Sequence, residues 1–424
     1  MKEKRQLLRI ALPAMAEQFL QMLMGFVDNY LVAQLGLIAV SGVSIANNII
    51  AIYQALFIAL GAAVSSVLSR YLAQKRLDQA HQSMSDALFL TSLISLVLGL
   101  VSIVGNVWFL KLLGTSLLVA REGGLYFAVV GGGIASLGLL TSMGAIVRVQ
   151  GYTKLPMKIS LLTNLLNALL SALSIYVFHL GIVGVAVSTV LARTVGTGLL
   201  MKKLPTKEII NHLRWKIDKK LIQIVIPAAG ERLMMRAGDV VIIAIVVAFG
   251  AEVVAGNAIG EIVTQFNYLP AMAISVATVI EVATYATDNP RQVREVVKIS
   301  FWLSTVMMYG LAGAIFLLKT PLIALFLEDN QAIQASYTVI LFSLMGVPAT
   351  AGTLVMTATW QGLGNAKLPF YATSLGMWCI RIGLGYVLGI SLNLGLNGVW
   401  LATVLDNLFR WVFLTYLYKK EKTC

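Results

Sequence analysis

The sequence has 424 residues, of which 58% are hydrophobic and only 12% are charged, and its net charge is +13. Soluble domains average about 25% charged residues, so this composition excludes a soluble globular protein and indicates an integral membrane protein. The basic residues stand in short runs between apolar segments and are not interleaved with aromatic residues on one face, so we expect no nucleic-acid partner.

Apolar runs long enough to cross a bilayer recur along the whole chain. Only helices fit, because open strands leave backbone groups unsatisfied in lipid and the alternation of a barrel is absent. The basic start, residues 1–9, leads into an apolar run without a small-residue cleavage site, which predicts a retained first helix. The twelve predicted spans are 8–34, 39–69, 86–110, 124–147, 157–178, 181–201, 221–249, 252–286, 298–318, 335–360, 369–390 and 395–417.

Loop charges orient these spans. Alternate loops are basic, and the loops between them are nearly uncharged or balanced. Both termini are basic as well, so the positive-inside rule predicts cytoplasmic termini, an even number of spans and a location in the plasma or inner membrane. The basic loops contain Arg70, Lys75, Arg76, Arg148, Lys154, Lys158, Lys202, Lys203, Lys207, Arg214, Lys216, Lys219, Lys220, Arg291, Arg294, Lys298 and Lys367.

The second half of the chain repeats the first at a nearly fixed offset. Pro13 recurs as Pro227 and Gly184 recurs as Gly398, each 214 residues later. A register kept across most of each half indicates an internal repeat. Further matches at this offset are Glu17 with Glu231, Gly36 with Gly250, and Gly42 with Gly256. Between them, Lys154-Leu155-Pro156 recurs as Lys367-Leu368-Pro369, one residue out of step.

Six spans per half leave the two halves in the same orientation, so the repeat is parallel and its axis follows the membrane normal. We therefore predict an all-α integral membrane fold of twelve transmembrane helices in two pseudo-symmetric six-helix bundles. The predicted domains are an N-terminal lobe at 1–201, a cytoplasmic connector at 202–220 and a C-terminal lobe at 221–424.

Ionisable side chains inside apolar spans are candidates for function, because placing them in lipid is costly. Asp28 lies in the first span with no basic residue after Arg9 on its own helix. It is either a carboxylate that carries H⁺ or Na⁺ and faces each side in turn, or a residue that bonds helices together. The fifth span presents Asn164, Asn167 and Ser171 on one face, where they can solvate an ion or join helices.

Glu17 and Glu231 each follow a proline by four residues. This symmetry favours a structural or gating role at the cytoplasmic end, in which each carboxylate bonds backbone groups that the proline frees. On the same first span, the aromatic residues Phe26 and Tyr30 suit a pocket for varied apolar ligands.

The second half holds more charge. If the seventh and eighth spans form a hairpin at Gly250, then Arg236, Asp239 and Glu261 lie at similar depth, roughly 16–21 Å from the turn. We expect Arg236 to pair with Asp239 or with Glu261. The network is either internally neutralised or changes partners between conformations. Arg381 and Asp406 are candidates to join it.

Motifs along both halves resemble those of the MATE (multidrug and toxic compound extrusion) family, and the resemblance covers essentially the whole chain. It rests on Met24-Gly25-Phe26-Val27-Asp28, Arg148-Val149-Gln150-Gly151, Lys154-Leu155-Pro156, Asn164-Leu165-Leu166-Asn167 and the segment 184–189. It implies a secondary antiporter that exports organic, drug-like, amphipathic or cationic compounds in exchange for H⁺ or Na⁺, by alternating access between two lobes. It implies no organic cofactor, and a monomer in the lipid bilayer.

The resemblance also implies roles for single residues. Asp28 matches the family's cation-coupling carboxylate, and Asn167 and Thr189 match its polar partners, as in the prokaryotic branch that couples through the N-terminal lobe. Ser171 stands where many members have an aspartate, which departs from the usual ion coordination. Arg236 falls where a sodium-coupled branch has a second-lobe acid, so a sodium site there is not expected. The expected coupling ion is H⁺ ahead of Na⁺, with no metal beyond a sodium ion at Asp28.

Other functions remain open from the sequence alone. A lipid-linked oligosaccharide flippase of the same superfamily is the nearest alternative, because Arg236 would suit a cationic cavity. A major-facilitator transporter also has two parallel six-helix halves, but its acidic-basic signature is not evident in residues 69–76. A membrane-embedded enzyme is disfavoured, since the three histidines stand apart and no HExxH, GxSxG or Walker-type motif occurs.

Overall fold

The computed structural model describes residues 2–212 and 218–421. Contacts divide them into an N-terminal unit, Leu12–Ile222, and a C-terminal unit that combines residues 2–11 with 223–421. Part of the predicted connector, 213–217, lies outside the described residues. The predicted lobe boundaries stay predictions.

The N-terminal unit consists of helices joined by short turns, and its first helix begins in the residues that group with the C-terminal unit. Its helices are α1 (Lys2–Ala33), α2 (Leu37–Ala73), α3 (Leu77–Val104), α4 (Asn106–Leu112), α5 (Leu117–Gly132), α6 (Ala135–Val149), α7 (Leu155–Tyr176), α8 (Gly181–Met201) and α9 (Thr206–Asn211). The core of this unit packs large side chains from different helices, such as Phe57 on α2 and Phe127 on α5, both fully buried.

The C-terminal unit repeats this architecture. Its helices are α10 (Lys219–Val247), α11 (Ala251–Tyr285), α12 (Pro290–Leu317), α13 (Lys319–Ala324), α14 (Asn330–Met345), α15 (Val347–Gly362), α16 (Lys367–Leu375) and α17 (Gly395–Glu421). Two π-helical segments, Gly376–Leu384 and Val387–Ser391, continue α16 as one long helix.

Twelve long helical segments account for the predicted spans in the described part of the chain. Eight helices are each long and apolar enough to cross a membrane. Two further spans are each formed by a bent pair of helices, which together are long and apolar enough. The other two segments are α10 and α17, with 29 and 27 residues. These two carry several ionisable side chains, which lowers their hydropathy.

Two of the predicted spans are broken helices rather than continuous ones. The fourth span consists of α5 and α6, bent by 43°, and the tenth consists of α14 and α15, bent by 58°. Three successive glycines, 131–133, mark the first break, and Pro348 lies in the first turn of α15 at the second. Glycine lowers the stability of a helix and proline lacks the N–H that would continue it, so both breaks have a local cause.

The sequence repeat is also a repeat of backbone geometry. Gly36 and Gly250 both have a φ of 103° at the hairpin turn before α2 and α11, a conformation that a side chain disfavours. Six residues later, Gly42 on α2 and Gly256 on α11 allow close helix contact. A Cβ on Gly42 would lie 2.6 Å from Gly123 N on α5, and one on Gly256 would meet the carbonyl oxygen of Ala332 on α14. Small residues at such contacts are typical of membrane helix packing.

Candidate functional site

Asp28 on α1 is bound by the amide of Asn167 on α7. Asn167 Nδ2 donates hydrogen bonds to both carboxylate oxygens of Asp28, at 3.0 and 3.2 Å. One turn further along α7, the hydroxyl of Ser171 donates to Asn167 Oδ1 at 3.4 Å. Asn167 and Ser171 are both buried. The structure thus brings three of the predicted site residues into one hydrogen-bonded chain.

Asn164 and Thr189 lie around this chain without bonding Asp28. Asn164 is one turn before Asn167 on α7, and its Nδ2 is buried with no hydrogen-bond partner in the described structure. Thr189 on α8 donates to the carbonyl of Val185 in its own helix at 3.0 Å. Its side chain also lies beside the buried hydroxyl of Tyr126 on α5. The site therefore combines an unsatisfied amide donor with several uncharged polar groups.

Arg193 on α8 belongs to this site and was missed from the sequence. It follows Thr189 by one helical turn, and its charge interacts with that of Asp28 and with the phenol of Tyr126. Its Nη1 is buried and makes no hydrogen bond within the described residues. The available signal was a single basic residue inside the apolar sixth span, the criterion that selected Asp28 in the first.

Phe26 and Tyr30 lie on the same helix as Asp28. Both side chains are exposed at the surface of the protein, with 45% and 65% of their surface accessible. Neither makes a hydrogen bond to the Asp28 site in the described structure. Their role in binding a substrate stays a prediction.

Glu17 forms an ion pair instead of bonding backbone freed by Pro13. Arg148 Nη2, at the end of α6, donates to Glu17 Oε2 at 2.6 Å, and both side chains are about 15% exposed. The expectation of a backbone bond was wrong because Arg148 supplies a charged donor, which binds a carboxylate more strongly than a neutral amide does.

The repeat replaces this ion pair by uncharged donors. Glu231 on α10 is buried and accepts from Gln361 Nε2 at 3.4 Å and from Thr373 Oγ1 at 3.3 Å. Gln361 stands 213 residues after Arg148, the offset at which Lys154-Leu155-Pro156 recurs. The same contact between helices is therefore kept in both units, with a charge in one and an amide in the other.

We expect Glu17→Gln to destabilise the protein, because it leaves Arg148 buried without its carboxylate. Removing one partner of a fully buried pair costs about 3–5 kcal/mol, and the small exposure here places the loss near the lower end. The double variant Glu17→Gln/Arg148→Gln should be more stable than the single variant, since two amides can bond each other. Thermal unfolding in detergent measures both, and a double variant less stable than Glu17→Gln would contradict the assignment.

The predicted pairing of Arg236 with Asp239 or Glu261 is wrong. Asp239 Oδ1 pairs with Arg381 Nη1 at 3.3 Å, and Arg236 is exposed with no ion pair among the described residues. The cause lies in helix packing: Gly238 on α10 has no side chain and so admits Met377, one turn before Arg381. That contact brings the guanidinium of Arg381 to Asp239. The prediction that Arg381 joins this charge network is therefore confirmed.

Glu261 and Asp406 have partners of their own. Glu261 accepts from Asn257 Nδ2 at 3.1 Å, and Asn257 Oδ1 accepts from the indole of Trp400 at 2.9 Å. Asp406, fully buried, pairs at 2.6 Å with Arg410 one turn along α17. The C-terminal unit therefore contains two internal ion pairs and a glutamate bonded by an amide, and the gating roles predicted for its members stay predictions.

Comparison with known proteins assigns the chain to a family. The MatE family matches residues 13–173 and 227–387, two segments that begin 214 residues apart and cover more than half of the sequence. The chain belongs to the MatE family. The match confirms the predicted resemblance to MATE proteins, and the helices of the described residues confirm the predicted all-α membrane fold.

Full-length relatives agree with this assignment. This MATE transporter is 27% identical over 421 residues to the probable multidrug resistance protein NorM of Thermotoga maritima, covering 96% of this chain and 90% of that protein. It is 25% identical over 429 residues to the uncharacterized transporter YisQ of Bacillus subtilis, covering 97% and 92%. A crystal structure of MATE in the straight conformation superposes with a TM-score of 0.90 at 19% identity, covering 99% of this chain and 96% of that one.

Proposed function

We propose that this MATE transporter exports organic compounds across the cell membrane in exchange for protons, and that Asp28 holds the coupling proton. The observation that carries the proposal is the double hydrogen bond from Asn167 Nδ2 to the Asp28 carboxylate. Hydrogen bonds to the charged form favour the carboxylate, whereas burial among apolar groups favours the neutral acid. A carboxyl group held between these two influences can gain and lose a proton as its surroundings change.

A proton suits this site better than a sodium ion. Ser171 contributes an uncharged hydroxyl to the hydrogen-bonded chain at Asp28, so Asp28 is the one acidic side chain in that chain. Sodium must exchange its hydration shell for several oxygen ligands, whereas a proton needs one carboxylate oxygen. The amide nitrogen of Asn167 faces both carboxylate oxygens and would compete with a metal ion for them.

The exported compounds are proposed to be amphipathic or cationic drug-like molecules. The support is the probable multidrug resistance protein of Thermotoga maritima, similar over nearly the whole chain. Phe26 and Tyr30 contribute exposed aromatic surface on the helix that carries Asp28. Aromatic faces bind apolar and cationic groups without requiring one hydrogen-bonding pattern. We also propose that the transporter works as a monomer with both termini in the cytoplasm.

Purified protein in liposomes tests this function. The protein is inserted into the liposome membrane, a fluorescent organic cation is enclosed inside, and either a pH gradient or a sodium gradient is imposed. We expect the pH gradient to drive transport and a protonophore to stop it, with no response to sodium. If neither gradient drives movement of the cation, the proposal is contradicted. Scrambling of a lipid-linked oligosaccharide in the same vesicles would favour a flippase instead.

A further inference from the structure

We propose that Arg193 is the internal counter-cation of Asp28, a positioning residue that sets the pH range of proton coupling and keeps sodium out of the site. This inference rests on the proposed function, because it assumes that Asp28 is the coupling carboxylate. It adds a residue that determines the specificity for the coupling ion.

The charges of Arg193 and Asp28 interact across the N-terminal unit, and no salt bridge joins them among the described residues. Arg193 lies on α8 one turn after Thr189, whose side chain is beside Tyr126, and all four of the groups Asp28, Tyr126, Thr189 and Arg193 belong to the N-terminal unit. The two oxygens of Asp28 are already bonded by Asn167. Arg193 Nη1 is correspondingly buried and unbonded among the described residues. Arg193 therefore has an unused charged donor, whereas the group that now donates to the Asp28 carboxylate is the neutral amide of Asn167.

Charge balance gives this arrangement its consequence. Arginine stays protonated in proteins, so the guanidinium of Arg193 carries a permanent positive charge in a buried site. The groups whose charges interact with it are Asp28 on α1 and Tyr126 on α5, and a phenol is normally neutral. The neighbouring α7 and α2 contribute the uncharged Asn167 and Asn47. The carboxylate of Asp28 is therefore the anion that balances Arg193.

The pair then opposes the binding of any second cation. A proton on Asp28 removes the charge that balances Arg193, so Arg193 favours the charged carboxylate over the neutral acid. Sodium would in addition remain a full charge beside a guanidinium, and a guanidinium offers it no oxygen ligand. The positive charge of Arg193 thus already neutralises the carboxylate that a sodium ion would otherwise neutralise.

The test compares Arg193→Gln with Arg193→Lys in liposomes. Removing the charge should raise the pH midpoint of gradient-driven efflux by about one unit, whereas lysine should keep it near the wild-type value. Arg193→Gln should also acquire stimulation by sodium chloride over choline chloride at equal ionic strength, which the wild type lacks. Lys158→Gln is the matched control, because it removes one positive charge from an exposed site on α7.

A second measurement covers the case in which Arg193→Gln is too unstable to assay. Thermal unfolding of Arg193→Gln, Asp28→Asn and the double variant gives a double-mutant cycle. If the two charges balance each other, the double variant should be more stable than the sum of the single losses predicts. Strict additivity would overturn the inference.

The transport results separate this inference from the proposed function. An unchanged pH midpoint in Arg193→Gln, an equal shift in Arg193→Lys, or an equal shift in the Lys158→Gln control would each overturn the role of Arg193. A wild-type protein that ignores the pH gradient would instead overturn the proposed function itself.

Discussion

Replacing Asp28 with asparagine should reduce proton-driven efflux to the level of protein-free liposomes while the protein stays folded. Asparagine has nearly the same shape as aspartate, and its Oδ1 can still accept a hydrogen bond from Asn167 Nδ2. It cannot bind or release a proton at any accessible pH, so the exchange has no coupling step. Transport is measured with an imposed pH gradient, and folding is measured by gel filtration in detergent.

The control for this variant is Asp78→Asn, which removes a carboxylate from an exposed position in the first turn of α3. It should transport as the wild type does. Undiminished pH-driven efflux by Asp28→Asn would refute the proposal that Asp28 carries the proton, whatever the effect of substituting Arg193.

Adding one methyl group at Gly42 should destabilise the protein strongly. A Cβ there would lie 2.6 Å from the backbone nitrogen of Gly123 and 2.8 Å from its Cα, and backbone atoms cannot move aside without separating α2 from α5. Overpacking of this kind typically costs about 1–3 kcal/mol and sometimes more. The gain of about 1 kcal/mol from the better helix propensity of alanine is too small to offset it. Gly256→Ala should behave likewise, through the contact with Ala332.

The matched control is Gly198→Ala on α8, where a Cβ would meet no atom within 4 Å. The same methyl group should be neutral or slightly stabilising there, so only Gly42→Ala should lower the unfolding temperature. Equal shifts in Gly42→Ala and Gly198→Ala would show that the close approach of α2 and α5 does not limit stability.

The two units share their packing but differ in how they manage buried charge. The repeated glycines at 42 and 256 keep one helix contact in both units, because any side chain there would strike backbone. The repeated glutamates at 17 and 231 keep a second contact, but Arg148 in one unit corresponds to Gln361 in the other. Backbone contacts tolerate little change, whereas a hydrogen bond survives when a neutral donor replaces a charged one.

Much of the fold follows from the sequence alone. Helices, spans and the repeat depend on the length of apolar runs and on a constant register, and both are local or periodic properties. The link between Asn167 and Ser171 is of the same kind, because residues four apart share one face of a helix. The sequence also singled out Asp28, since a carboxylate in an apolar span with no basic residue near it on the same helix is costly and therefore conspicuous.

Only the tertiary structure decided which helices bring their charges together. A span that is apolar on all sides has no polar face to indicate its rotation about its axis. The pattern therefore could not show that the charge of Arg193 interacts with that of Asp28, or that Arg381 reaches Asp239. Those contacts depend on how closely helices approach, which small residues such as Gly238 determine. The sequence by itself therefore determined a twelve-helix membrane fold with a carboxylate inside its first span, and the packing of its helices supplied that carboxylate with its cation.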